Sequence, residues 1–258
     1  MAQPLERPGV RPAVLITGAA KRIGAVLAQH FGAAGWHVVI HAGHSPAEAR
    51  ALAATLPSAE VAQCDLVNGT AALAMIADLA QRLPDWRMLI NCAAVFKPDT
   101  AQAIDPAIFA EAITVNAATP TRMAQAFLAQ SRSSGGRRVI HFLDQKLANP
   151  NPDFFSYTMA KHALAATVRM LAMAASDPAT RIYGLAPGAM LPSHDQHDAE
   201  HELSGRMNLL ERLTDPSELA DAAQFLAQGW LASGETLYID SGQHLLAQPR
   251  DVLYLARL

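Results

Sequence analysis

The chain has 258 residues, of which 51% are hydrophobic and 17% charged; that suffices for one large α/β domain or two small ones and excludes intrinsic disorder. A formal charge of -3, from 20 Lys and Arg against 23 Asp and Glu, lacks the basic excess of a nucleic-acid-binding surface. Two cysteines, Cys64 and Cys92, make no disulfide framework and fit a reducing cytoplasm, residues 1–12 carry no secretory signal, and no apolar run nears the ~20 residues of a membrane span.

Short apolar runs alternate with Ala-rich amphipathic segments. Strands are predicted at 13–16, 37–41, 60–63, 88–91, 138–143, 181–185 and 235–240. Helices are predicted between them at 23–34, 47–56, 70–82, 106–113, 117–131, 155–174 and 216–228. Buried strands alternating with helices imply a parallel sheet with helices on both faces. Right-handed crossovers make a doubly wound α/β sheet of about seven strands the economical topology. Residues 1–258 read as a single domain without internal repeats. Residues 188–214 are polar and aperiodic, as in a surface lid. The tail, 243–258, ends in the apolar Val252-Leu253-Tyr254-Leu255 and is expected at a subunit interface, with packing on its own chain as the alternative.

The first strand runs into Thr17-Gly18-Ala19-Ala20-Lys21-Arg22-Ile23-Gly24, and a helix follows. Glycine lets backbone amides approach a pyrophosphate, and the helix N-terminus adds partial positive charge. The second strand ends His41-Ala42-Gly43-His44-Ser45, with no acid to hold ribose hydroxyls or repel a 2′-phosphate. With Lys21, Arg22, His44 and Ser45 nearby, NADP(H) is expected over NAD(H); Ser45 also reads as a helix N-cap. Tyr157 and Lys161, four apart, share a helix face. An ammonium near a phenol lowers its pKa, and such a phenol can pass a proton while hydride arrives. Asp144 stands thirteen residues before Tyr157 at a strand end, where a carboxyl can orient it or supply protons; Ser156 is the alternative partner. Cys92 reads as a small buried hydrophobe.

The Thr17–Gly24 turn, Asn91-Cys92-Ala93-Ala94, Tyr157-x-x-x-Lys161 and Pro187-Gly188 together resemble the short-chain dehydrogenase/reductase family. The resemblance covers Val14 to about Gly242 and implies a Rossmann-type fold. Arg22 in the turn and Asp144 before Tyr157 resemble the pteridine reductase branch. The resemblance implies cofactor contacts from Gly18, Lys21, Arg22, Ile23, Gly24, His44, Ser45, Asp65, Leu66, Asn91, Ala93, Tyr157, Lys161, Pro187 and Gly188. It implies a catalytic set of Asn116, Asp144, Tyr157 and Lys161, with Asn116 supporting Lys161 through a water. It places Arg22, Phe96, Asp144, Tyr157 and Met190 at the substrate, Phe96 stacking on a flat ring. Ala94 and Val95 depart from that branch, which carries hydroxyl side chains there.

The expected activity is NADPH-dependent reduction of a C=N bond in a dihydropterin or dihydrofolate. Alternatives are a carbonyl reductase acting on a ketone or 3-oxoacyl thioester, and a non-catalytic NADP-binding sensor. A homotetramer or homodimer is implied, with a small-molecule substrate as the other partner. His194, His197 and His201 recur at helix-face spacing, but the family chemistry needs no metal and none is expected.

Overall fold

Four consecutive apolar residues, Ala13–Ile16, leave no side for water and form the fully buried strand β1. The computed structural model describes residues 10–193 and 195–258. The other strands are β2 (His37–Ala42), β3 (Ala59–Gln63), β4 (Trp86–Asn91), β5 (Arg138–Phe142), β6 (Arg181–Pro187) and β7 (Thr236–Ile239). The helices are α1 (Arg22–Ala33), α2 (Pro46–Ala53), α3 (Gly69–Arg82), α4 (Pro106–Ile113), α5 (Thr119–Gln130), α6 (Phe155–Ala174), α7 (Asp198–Gly205), α8 (Pro216–Ala227) and α9 (Val252–Leu255).

All seven strands pair in parallel, in the order β3-β2-β1-β4-β5-β6-β7. The order reverses between β1 and β4, so the two chain directions diverge there and leave a crevice at the carboxyl ends of the strands. Alternate strand residues feed two cores. Leu15, Val39, Leu89 and Val139 meet Ile76, Phe127 and Leu164 on one face. Val14, Ile40, Ile90 and Ile140 meet Leu27, Phe31 and Leu219 on the other. Among the described residues, no helix is long and apolar enough to cross a membrane.

Three regions differ from the sequence expectation. Residues 106–130 run continuously through a π-helical turn, Thr114–Ala118, in which the Thr119 amide bonds the Thr114 carbonyl, five residues back. Pro120 has no N–H for the Asn116 carbonyl, so the ladder re-registers there. The polar excursion contains α7. Its first-turn acids Asp198 and Glu200 suit a helix N-terminus, although its apolar periodicity is too weak to read.

The tail folds over its own chain. Val252 and Leu253 are buried within their own chain, the alternative weighed from the sequence, while Leu245 and Leu258 are exposed. Asp251 caps α9 by accepting from the Leu253 amide at 2.9 Å.

Candidate active site

The carboxyl ends of β1, β4, β5 and β6 open into a cavity of about 470 Å³. On its β1 side the turn is held by close backbone approaches. Gly18 has φ +66°, and a Cβ on it would lie 3.0 Å from Ala93 Cα; a Cβ on Gly24 would lie 2.4 Å from the Gly18 carbonyl oxygen. Lys21 at the N-cap of α1 makes no side-chain cap, and the first turn carries no acid. Uncapped amides and the positive end of the helix dipole therefore meet at Lys21, Arg22, Ile23 and Gly24, which line the cavity. That is an anion cradle for a pyrophosphate.

Two residues behind this turn went unassigned in the sequence reading. Thr17 Oγ1 accepts from the amides of Cys92 (2.9 Å) and Ala93 (3.0 Å), tying β1 to the end of β4. His41 Nδ1 accepts from the Gly18 amide at 3.2 Å, while its Nε2 lies 3.0 Å from the Cys64 carbonyl. Those partners require a neutral ring protonated on Nε2. Burial holds it so, with the pKa lowered to about 4. Thr17 lay inside the quoted motif, but its role depends on two amides from another strand.

On the β5 side, Tyr157 donates its hydroxyl to Asp144 Oδ2 at 2.7 Å. Burial raises the Asp144 carboxyl, opposed by Lys146, whose amide donates to Asp144 Oδ1 at 2.9 Å. Tyr157 is pushed well above the usual phenol range, first by burial and then by the Asp144 carboxylate. The expectation that Lys161 makes this phenol acidic is therefore reversed: desolvation and a carboxylate in contact outweigh an ammonium 5.6 Å from the ring centroid. Lys161 itself donates to the Phe142 carbonyl at 2.6 Å, and burial lowers it to about 8. Ser156, the alternative partner, instead hydrogen-bonds Asp99 through its hydroxyl and its amide.

The cavity also gathers Ala93, Phe96, Pro187, Gly188 and Met190. Phe96 stacks on Phe154 with centroids 3.9 Å apart and meets Tyr157 edge-on at 4.7 Å, so only one of its faces is left for a ligand. His44, Ser45, Asp65, Leu66, Asn91 and Asn116 are not among the residues lining it. The exposed His44 lies 3.9 Å from Asp65, beyond β2 and β3. Ser45 holds the N-cap position of α2 without a side-chain bond, and Asp65 Oδ1 accepts from the Val67 amide at 3.0 Å. Leu66 is buried, with its carbonyl accepting from Thr119 Oγ1 at 2.9 Å.

Asn91 is buried beside His141 Nδ1 at 3.2 Å. The Asn116 amide bonds Val95 in both directions at 2.8 Å and so pins the segment that carries Phe96. Cys92 is half-buried, and desolvation pushes its thiol up to about 12, away from a reactive thiolate. Among the described residues, no three His, Cys, Asp or Glu side chains gather as metal ligands. His197 and His201 sit at the start and within α7; the expectation for His194 lies outside the described residues.

The family described as Enoyl-(Acyl carrier protein) reductase matches residues 18–244. Among solved structures, FolM alternative dihydrofolate reductase 1 from Brucella suis, in complex with NADP, superposes with a TM-score of 0.86 at 30% identity, covering 92% of this chain and 96% of that one. Pteridine reductase 1 from Leishmania tarentolae is 26% identical over 91% of this chain and 96% of its own length. A granaticin polyketide synthase putative ketoacyl reductase 2 from Streptomyces violaceoruber is also 26% identical, over 91% of this chain and 97% of its own length.

Proposed function

The chain belongs to the short-chain dehydrogenase/reductase family, and from that premise we propose that it is an NADPH-dependent reductase of a dihydropterin or dihydrofolate C=N bond. The observation that carries the substrate class is the Tyr157–Asp144 contact at 2.7 Å. A carboxyl at that place serves protonation of a ring nitrogen, whereas a ketone oxygen needs only a hydroxyl donor. The Brucella suis and Leishmania tarentolae relatives support the same reading.

The cofactor site fits a dinucleotide on this chain's own geometry: the space that a Cβ at Gly18 or Gly24 would fill is closed, and the α1 amides face the cavity. Gly18, Lys21, Arg22, Ile23 and Gly24 would hold the pyrophosphate, and Ala93, Pro187 and Gly188 the nicotinamide end. Bound there, NADPH would supply the hydride for the ring carbon and be oxidised to NADP+. The C=N π pair then takes a proton at nitrogen. Tyr157 holds that proton on its hydroxyl. While Asp144 is ionised, the hydroxyl is turned onto Oδ2. Once Asp144 is protonated, which burial favours, the carboxyl donates and the phenol proton is released towards substrate. The Lys161 ammonium supports the phenolate as it forms. Asn116 and the Phe154 stack position Phe96 against the substrate ring.

The ketoacyl reductase relative favours the second reading, a carbonyl reductase on the same scaffold. We also infer a homo-oligomer, since α6 exposes Met159, Met170 and Met173 along its outer face. NADPH consumption with a 7,8-dihydropterin, dihydrofolate, a quinone and an acetoacetyl thioester decides the substrate class. Turnover of the pterin or folate alone is expected; turnover of the thioester alone overturns the reading.

A further inference from the structure

The C-terminal strap contributes Asp251, Val252 and Leu253 to the cavity wall. Asp251 Oδ2 meets the Lys146 ammonium at 2.6 Å, and the two side chains are 10% and 3% exposed. Lys146 belongs to the short helical turn Gln145–Leu147 that follows β5, and its amide donates to Asp144 Oδ1 at 2.9 Å. Both halves of the pair are held from elsewhere as well. The ammonium donates to Asn151 Oδ1 at 3.1 Å. Asp251 Oδ1 accepts from the Leu253 amide at 2.9 Å, and the Asp251 amide donates to Asp153 Oδ2 at 2.9 Å. Arg250 bonds that same Asp153 oxygen at 2.7 Å, and Gln248 exchanges hydrogen bonds with Asn149.

Besides Asp144, the titratable side chains lining the cavity are Lys146 and Asp251 on this wall and Tyr157 and Lys161 from α6. Cys92 follows β4, and Lys21 and Arg22 lie at the phosphate turn. Burial raises the Asp144 carboxyl; of the groups that lower it, the Lys146 charge comes first, then the Lys146 amide, Tyr157 and Lys161. Asp251 in turn raises Tyr157, after burial and Asp144. A charge in a buried site acts more strongly than one in water. Paired, the ammonium and the Asp251 carboxylate largely compensate one another. Unpaired, each would bias Asp144, and in opposite directions.

We propose that Lys146 and Asp251 are positioning residues for the proton transfer: the strap's carboxylate holds the Lys146 ammonium at a fixed place in the wall, and the pair sets the pH at which Asp144 takes up the proton that frees the Tyr157 hydroxyl for substrate. This rests on the proton route through Asp144 and Tyr157 and adds the groups that tune it. The C-terminal strap thereby takes part in the reaction of its own chain.

The test follows kcat against pH, with a 7,8-dihydropterin, for NADPH-loaded wild type, Lys146→Gln, Asp251→Asn and the double variant. Asn retains the α9 cap. Carboxyl carbon-13 NMR of the NADP+ complexes, with Asp144→Asn for assignment, reads the Asp144 midpoint without turnover. kcat is expected to fall as pH rises through that midpoint, because the ionised carboxyl keeps the phenol proton. Lys146→Gln removes the positive charge and should move the fall to higher pH by about one unit. Asp251→Asn leaves the ammonium uncompensated and should move it about as far to lower pH. The double variant removes both charges and should return close to wild type. A merely structural role lowers kcat or the melting temperature without opposite shifts and recovery. Shifts in one direction only, no shift at all, or a double variant that stays with one of its parents overturns the pair. NMR midpoints that shift while the kcat profiles do not overturn the proton route through Asp144 and leave the pair's hold on the carboxyl standing. A wild type that turns over only the acetoacetyl thioester overturns the dihydropterin reading, and the same profiles on that substrate then decide the pair.

Discussion

The two sides of the cavity solve different problems with different materials. At the ends of β1 and β4, the structure works through backbone and neutral groups: the Gly18 amide on His41, the Thr17 hydroxyl under Cys92 and Ala93, and the first turn of α1. At the ends of β5 and β6 it works through ionisable side chains packed together, namely Asp144, Lys146, Tyr157, Lys161 and Asp251. A fixed anionic ligand can be held by amides and a helix dipole, which need no charge buried beforehand. Moving a proton requires groups that change charge, and in a buried site those must compensate one another. The first side should therefore fail sterically and the second electrostatically.

The largest effect is expected on the ionisable side. Tyr157→Phe removes the proton donor and should lower kcat by about 10²-fold or more, with little change in NADPH affinity; single-turnover kinetics with a cofactor titration checks this, and a loss confined to KM would contradict it. On the backbone side, Gly24→Ala puts a Cβ against the Gly18 carbonyl oxygen. NADPH binding should weaken by at least about tenfold, measured by fluorescence titration, because the turn must open to accept the methyl group. Thr17→Val keeps the shape but strands two amides. It should cost about 2 kcal/mol in urea unfolding, and Thr17→Ser should cost less; equal losses in the two would count against the double acceptor.

Acid titration distinguishes the sides by stability. Burial lowers His141 to about 3 and His41 to about 4, from an ordinary 6.5. Between these values and 6.5 the unfolded chain binds protons that the folded chain refuses. Stability is therefore full above pH 6.5 and falls as pH drops, by up to about 1.4 kcal/mol per pH unit for each ring. Melting temperatures from pH 7.5 to 4.5 should show a shallower fall for His141→Gln than for wild type, and parallel curves would refute the assignment. The smallest effect is at the rim. Lys21 pairs with Glu48 at 2.7 Å, both half exposed. Glu48→Gln frees Lys21 and should tighten NADPH by about twofold without a change in melting temperature, since surface pairs are weak; isothermal titration calorimetry resolves such a change.

Much of the scaffold was legible because its signals are local. Val14-Leu15-Ile16 cannot be exposed on either face, and Gly18 and Gly24 are read directly as places where a side chain has no room. Tyr157 and Lys161 share a face by helix geometry alone, and Asp144 lies on the strand end that precedes them. The boundaries that moved did so for non-local reasons. The helix at 117–131 begins within a π-helical turn because Pro120 withdraws an amide, and α7 forms in a polar segment. Phe96 was foreseen at the cavity, but Phe154, which covers one of its faces, was not. Gln145, Lys146 and Asp251 carried no sequence signal, since an isolated Lys and a tail Asp read as surface residues.

Sequence by itself determined the alternation of strand and helix, the phosphate turn and the Tyr157–Lys161 pair, because each depends on backbone stereochemistry or on the pitch of one helix. Tertiary structure alone decided the protonation balance of that pair, since desolvation and the Asp144 contact are properties of the closed site and outweigh the ammonium one turn away. It also decided that the C-terminal strap belongs to the cavity. A salt bridge between Lys146 and Asp251 exists only after chain segments far apart in sequence have packed, and no local pattern encodes the distance between them.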